Sequence, residues 1–165
     1  MKEKVCRGNT LLCTFGLPRS GKSTWARSTG HPIVSPDALR WALTGRRWYA
    51  PMEHQVWAMA RTMVRALFLA GHKTVVLDST SCTRKQRDQF RSDEMVMWDC
   101  QYIQIDTPPA LCMTRAELTY PELIPVISRM ADNWEAIEDD EGPVYMCRCW
   151  KPLPHERGDL LAAPP

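Results

Sequence analysis

The chain has 165 residues, 44% hydrophobic and 24% charged, with 21 Lys and Arg against 19 Asp and Glu and a formal net charge of +2. That length and composition fit one globular domain with a sizeable core and exclude a disordered or collagen-like chain. Charge this near balance excludes a polyanion-binding surface spread over the whole molecule, so any nucleic-acid contact must be local.

Thr10–Phe15 reads as a buried strand. The next residues, Gly16-Leu17-Pro18-Arg19-Ser20-Gly21-Lys22-Ser23, carry the phosphate-loop spacing G-x-x-x-x-G-K-[ST] at every fixed position. Lys22 to Ser28 then opens a helix, so strand, loop and helix come in the order such a loop needs. Gly16, Pro18, Arg19, Ser20, Gly21, Lys22, Ser23 and Thr24 are therefore the expected nucleotide site, with backbone N–H groups around the β-phosphate of ATP. Lys22 is expected to reach the β- and γ-phosphates, and the Ser23 hydroxyl to hold Mg2+.

Pro32–Val34 reads as a short second strand. Ser35 looks like a helix N-cap with Pro36 at the first helical position, and the helix runs to about Thr44, where Gly45 ends it. Asp37 then lies at the carboxyl edge of the sheet, where open α/β folds bind ligands. Its carboxylate can take the proton of an attacking hydroxyl; it equally suits a helix start, where an acid favours the dipole. Arg40 shares its helical face, and an acid beside an arginine suits a substrate with both a hydroxyl and a phosphate. The loop Arg46-Arg47-Trp48-Tyr49-Ala50-Pro51 interleaves cations with flat rings, which suits a phosphate backbone with an unstacked base. Trp41 and Trp57 can join it, although tryptophans at helical spacing serve a core as readily.

Met52 to Ala70 reads as a long helix with Val56, Met59, Ala60, Met63, Val64 and Leu67 on one face, stopped by Gly71. Thr74–Asp78 is the third strand. Asp78 at its end is a carboxylate suited to Mg2+ beside a phosphate loop; a turn or cap is the alternative. Ser79 stands where an ATPase that activates water usually carries Glu, which favours transfer to a bound hydroxyl over hydrolysis. Thr83 to about Arg91 reads as a helix whose Arg84, Arg87 and Arg91 form a solvated stripe. Cys100–Ile105 is the fourth strand, and helices follow from Pro109 to Arg115 and from Leu123 to about Trp134. Glu138-Asp139-Asp140-Glu141 reads as a solvated acidic run, and five prolines between Pro143 and Pro165 mark an irregular tail.

This alternation predicts an α/β three-layer P-loop fold with a mostly parallel sheet of four or five strands over residues 1–142, followed by a tail over 143–165. The seven cysteines are odd in number, and no secretory signal or membrane-length apolar stretch accompanies them, which points to reduced thiols in a cytoplasm. Cys147 and Cys149 lack a second Cys or His pair at zinc spacing and are not read as a metal site.

Together these motifs resemble the P-loop kinase domain of the phage-type polynucleotide kinases. Gly16–Ser23 with Thr24-Trp25-Ala26-Arg27 resembles that family's first motif. Ser35-Pro36-Asp37-Ala38-Leu39-Arg40 resembles the segment that carries its general-base aspartate and a substrate-phosphate arginine. Asp78-Ser79-Thr80-Ser81 through Arg84-Lys85-Gln86-Arg87 resembles its third motif, with Ser81 where relatives often have Asn. The likeness runs over roughly residues 10–135. It implies ATP and Mg2+ as cofactors, Asp37 as general base, and Arg40 on a neighbouring substrate phosphate. It implies that Arg115, from a lid at about residues 115–122, neutralises charge on the transferring group. DNA or RNA is then the acceptor, most simply through a polynucleotide 5′-hydroxyl, with no membrane involved and the host cytoplasm as location if a phage encodes the chain. Similar small phage kinases phosphorylate a hydroxymethyl group on a modified DNA pyrimidine, and the Arg46–Tyr49 loop suits that acceptor equally. A small-metabolite kinase and a non-catalytic ATP-binding module remain as alternatives.

Overall fold

In the computed structural model, which describes residues 8–91 and 98–148, five strands form one sheet. They are β1 (Thr10–Phe15), β2 (Ile33–Val34), β3 (Thr74–Leu77), β4 (Asp99–Ile105) and β5 (Val144–Cys147). The order is β2-β3-β1-β4-β5, and every pair is parallel. Parallel neighbours need a crossover between them, which is why a helix follows nearly every strand. Those helices are α1 (Lys22–Ser28), α2 (Pro36–Thr44), α3 (Glu53–Leu69), α4 (Arg84–Asp88), α5 (Pro109–Thr119) and α6 (Ile124–Asp132). The expected α/β P-loop architecture is present, with the fifth strand supplied by a segment that had read as tail. Val144-Tyr145-Met146-Cys147 is a β-prone run hidden among prolines, so the sheet continues past the boundary expected at residue 142. Cys149 and the residues after it lie outside the described residues.

The core divides into two clusters. Leu11, Cys13, Val75, Leu77, Cys100 and Tyr102 alternate along their strands onto one sheet face, where α3 covers them. The buried stripe of α3 is Val56, Ala60, Val64 and Phe68, at steps of four. Met59 and Met63, expected on that face, lie exposed at its rim. Phe68 stacks on Trp98 with ring centroids 5.4 Å apart. The second cluster, Leu17, Cys82, Cys112, Ala116 and Ile127, joins the start of the phosphate loop to α5 and α6. Cys13, Cys82, Cys100 and Cys112 are reduced thiols buried in these cores. No helix among the described residues is long and apolar enough to cross a membrane.

Helix starts follow local chemistry. Ser35 caps α2, its side chain accepting from the Ala38 N–H at 3.4 Å, and Thr83 with Gln86 forms a capping box on α4. Helix α5 continues past Arg115 to Thr119, so most of the segment expected as a lid is helical. It stops at Tyr120 because Pro121 disfavours helical backbone in the residue before it; Tyr120 has φ −148 and ψ 72. A 3-10 turn, Pro121–Leu123, follows.

The arginine stripe and the acidic run, both expected as solvated faces, are each other's partners. Arg87 and Glu141 form a fully buried ion pair. Arg87 Nε donates to Glu141 Oε2 at 2.6 Å and Nη2 to Oε1 at 2.8 Å. The remaining N–H groups of Arg87 donate to the backbone carbonyls of Ser81, Glu135 and Ala136 at 3.1, 3.0 and 3.1 Å. All five guanidinium donors are thus used. Around this pair Arg84 bonds Glu138 and Asp140, and Arg91 Nη1 donates to the Asp140 carbonyl at 2.6 Å. Charge spacing along one segment could not reveal a partner some fifty residues away.

Burial pushes the Glu141 carboxyl up, but the hydrogen bonds and charge of Arg87 outweigh it and hold the group below its ordinary value. A depressed carboxylate stabilises the fold fully above its unfolded value of about 4.3 and loses that contribution as pH falls through the folded value. Arg87→Met, which strands Glu141 in the interior, is expected to cost about 3–5 kcal/mol in urea denaturation at pH 7. The deficit should shrink as pH falls below the unfolded value, because the parent then loses the contribution of Glu141 while the stranded carboxyl of the variant, raised by burial, is already neutral.

Candidate active site

The phosphate loop leaves β1 where a side chain does not fit. A Cβ on Gly16 would lie 2.9 Å from Ser20 Oγ and 3.1 Å from the Ile105 carbonyl. Arg19 and Gly21 take left-handed backbone, φ 68 and 106. Two such residues within three turn successive N–H groups to one side, the geometry of an anion-binding nest. The loop is braced from several elements. Thr107, just after β4, donates from Oγ1 to the Ser20 carbonyl at 2.8 Å. The Gly16 N–H donates to the Thr80 carbonyl at 3.2 Å. Arg115 of α5 donates from Nη1 to the Arg19 carbonyl at 3.2 Å, which sets that arginine against the loop backbone. Pro18 is half-buried in the loop, and Ser23 and Thr24 are exposed in the first turn of α1.

Lys22 is buried, and its Nζ donates to the Leu17 carbonyl at 2.6 Å. Burial pulls its pKa below the ordinary value, opposed most strongly by Asp78 and also by Asp37. Both candidate carboxylates therefore act on the loop lysine electrostatically. Burial also pushes the neighbouring thiols of Cys82 and Cys112 up, which keeps them neutral beside Lys22.

Asp78 is fixed by a residue that sequence reasoning passed over. Thr14, fully buried in β1, donates from Oγ1 to the Ser79 carbonyl at 2.9 Å and accepts from the Ser79 N–H at 3.0 Å; its Oγ1 lies 3.5 Å from Asp78 Oδ1. One hydroxyl thus pins the end of β3 to β1. Beyond it Ser79 and Ser81 share a 2.6 Å hydroxyl bond, and Ser81 takes φ 49, a region that Asn enters more readily than Ser.

Asp37 stands in the first turn of α2 with its side chain 85% exposed. Arg40 donates from Nη1 to Asp37 Oδ1, from Nε to Glu53 Oε1 at 2.5 Å and from Nη2 to Glu53 Oε2 at 3.0 Å. Arg40 is buried, and although burial opposes its charge, Glu53 and Asp37 outweigh it and raise its pKa. The expectation of Arg40 as a substrate-phosphate contact meets a different arrangement. Two carboxylates engage the guanidinium, Asp37 from the surface and Glu53 from the start of α3. Glu53, at the start of α3, carried no signal in the sequence beyond an acid that suits a helix start.

The basic and aromatic loop folds toward α5. Arg46 lies over the Tyr49 ring at 5.5 Å, and Arg47 over the Tyr120 ring at 3.8 Å; Arg19 of the phosphate loop lies over that same ring at 5.6 Å. Tyr120, also unremarked in the sequence, links the loop of Arg46–Tyr49 to the phosphate loop. The set fits a nucleotide and its metal. The nest, Lys22 and a buried Ser20 Oγ with no hydrogen-bond partner among the described residues suit phosphate oxygens, while Ser23 and Asp78 are oxygen donors of the kind Mg2+ takes.

Residues 11–117, more than half of the chain, match the AAA domain family. No curated protein matches the chain. Among solved structures, a chain of the Pnkp1/Rnl/Hen1 complex, described as an RNA repair complex, is 26% identical with TM-score 0.59 over 72% of this chain. This chain spans only 42% of that protein. Kti12 from Chaetomium thermophilum, in complex with ADP-AlF3, is 16% identical with TM-score 0.63, covering 90% of this chain and 94% of its own. A gluconokinase from Sinorhizobium meliloti 1021 is 15% identical with TM-score 0.56, covering 93% and 90%. The last two likenesses show the fold, a P-loop kinase fold.

Gly16→Ala is expected to drive Ser20 and the Ile105 carbonyl away from the loop at a cost of about 1–3 kcal/mol. Titration calorimetry with ADP should then read a weaker affinity, and thermal melting a lower midpoint.

Proposed function

The chain belongs to the AAA domain family, and from that premise we propose that it is an ATP- and Mg2+-dependent kinase of the polynucleotide-kinase type. The acceptor is a hydroxyl of DNA or RNA, most simply a 5′-hydroxyl. The observation that carries this reading is Asp37: an exposed carboxylate at the sheet's carboxyl edge, within electrostatic reach of Lys22 and aligned by Arg40. Its position is that of a general base for a hydroxyl approaching the phosphate loop from outside. The likeness to the chain of the RNA repair complex supports a nucleic-acid acceptor.

ATP supplies the phosphoryl group that is transferred. Gly16–Thr24 orients the phosphates through backbone N–H groups, and Lys22 offers them its ammonium. Ser23 and Asp78 would hold the metal, which would offset phosphate charge. Asp37 takes the proton of the acceptor hydroxyl, and Arg40 keeps its carboxylate aimed. Arg115, against the loop backbone, balances negative charge in the transition state. The acceptor's backbone phosphates fall to Arg46 and Arg47, which are exposed at the rim. Catalysis is then positioning plus charge neutralisation, with no covalent enzyme intermediate.

Transfer of labelled γ-phosphate to four DNAs tests this reading. One carries a free 5′-hydroxyl on unmodified bases, one a free 5′-hydroxyl and a hydroxymethyl pyrimidine, and the other two are the same strands with the 5′ end blocked. Label at the free end is the expected outcome. Label confined to the modified base would make the protein a DNA base kinase, and label on none would turn attention to metabolites. Asp37→Asn should lower kcat about 10²–10⁴-fold while leaving the affinity for ATP within a few-fold; unchanged turnover would rule Asp37 out as base.

A further inference from the structure

Arg40 does more than align Asp37. Its guanidinium lies over the ring of Trp48 at 5.7 Å and over that of Trp57 at 5.9 Å. Trp57 packs on the core and meets Phe90 edge-on at 6.2 Å. Trp48 therefore rests on a charged group that is itself fixed from three sides, by Glu53, Asp37 and Trp57. Its residue is nevertheless 65% exposed. A loop tryptophan loses little entropy on binding when its ring is already held, and this one is held by a cation–π contact to a partly desolvated arginine. One guanidinium separates the indole from the Asp37 carboxylate, so both address the same acceptor.

We propose that Trp48 is a stacking subsite for a nucleobase. The base belongs to the nucleotide whose hydroxyl meets Asp37, and Glu53 is the positioning residue that holds the floor of the subsite through Arg40. This deepens, and rests on, the reading of the protein as a nucleic-acid kinase. The chemistry favours a base because a flat, exposed indole offers a face that any base can cover, whatever its hydrogen-bonding edge. The flanking cations fit the same ligand. Arg46 and Arg47 lie over the rings of Tyr49 and Tyr120 at 5.5 and 3.8 Å, and an arginine held by a ring contact is a suitable donor for phosphate.

The test uses two acceptor oligonucleotides that each carry a free 5′-hydroxyl and differ only in the terminal residue, one normal and one abasic. For the parent protein the abasic strand is expected to show a KM higher by about tenfold. Trp48→Ala should raise KM for the normal strand by a similar factor, leave KM for the abasic strand unchanged, and alter kcat little. Trp48→Phe should restore most of the affinity. Glu53→Gln should mimic Trp48→Ala in this split between strands, which a merely structural residue would not do. Fluorescence quenching of the parent by the normal strand, lost with the abasic strand and in Trp48→Phe, reads the contact without turnover. The stacking subsite is overturned if the parent treats both strands alike, or if Trp48→Ala weakens both equally. If the parent phosphorylates no strand at all, the nucleic-acid reading fails first and takes the subsite with it.

Discussion

Parallel pairing of every strand is the constraint on which the site depends. Because β1 to β5 run the same way, all their carboxyl ends fall on one edge, and each connection that leaves that edge must turn into a crossover. The phosphate loop, Asp37, Asp78 and Thr107 occupy the exits of β1, β2, β3 and β4. None of these side chains needs a special arrangement to meet the others; the sheet delivers them. What remains for individual residues is fine adjustment, and the braces from Thr107 and Arg115 to the loop backbone supply it.

Two buried arginines divide the remaining work. Arg87 uses all five donors on Glu141 and three carbonyls, and so ties the segment after α6 to the underside of α4. It also lies over the ring of Phe15, the last residue before the phosphate loop. Arg40 is bound by two carboxylates and two indoles. Both are charges that would be costly alone and are tolerated because their partners are complete. The first holds the frame of the loop; the second connects a solvent-facing acid to a solvent-facing ring.

Local chemistry made much of this legible. The glycines and lysine of residues 16–23, the Ser35-Pro36-Asp37 helix start and the β-branched run before Asp78 each announce their own structure within a few residues. Errors arose where the meaning of a residue depended on a distant partner. Arg87 reads as one of three surface cations until Glu141 arrives from another part of the chain. The hold of Glu53 on Arg40, thirteen residues back, had no signal in the sequence either. The fifth strand was hidden because its neighbours in sequence are prolines and acids, while its neighbour in space is β4. Tyr120 and Thr14 have no motif at all, since a ring between two guanidiniums and a hydroxyl between two strands are products of tertiary packing.

Thr14 carries a consequence for how the chain can drift. Valine would fill the same interior space and suit a strand equally well, so packing and secondary structure would scarcely register the exchange. It would nonetheless delete a hydroxyl that joins the ends of β1 and β3, leaving the Ser79 backbone without that partner and loosening Asp78 beside it. Such a variant keeps its interior volume yet loses stability through the stranded Ser79 backbone, so a screen for folding and a screen for nucleotide binding would both register it.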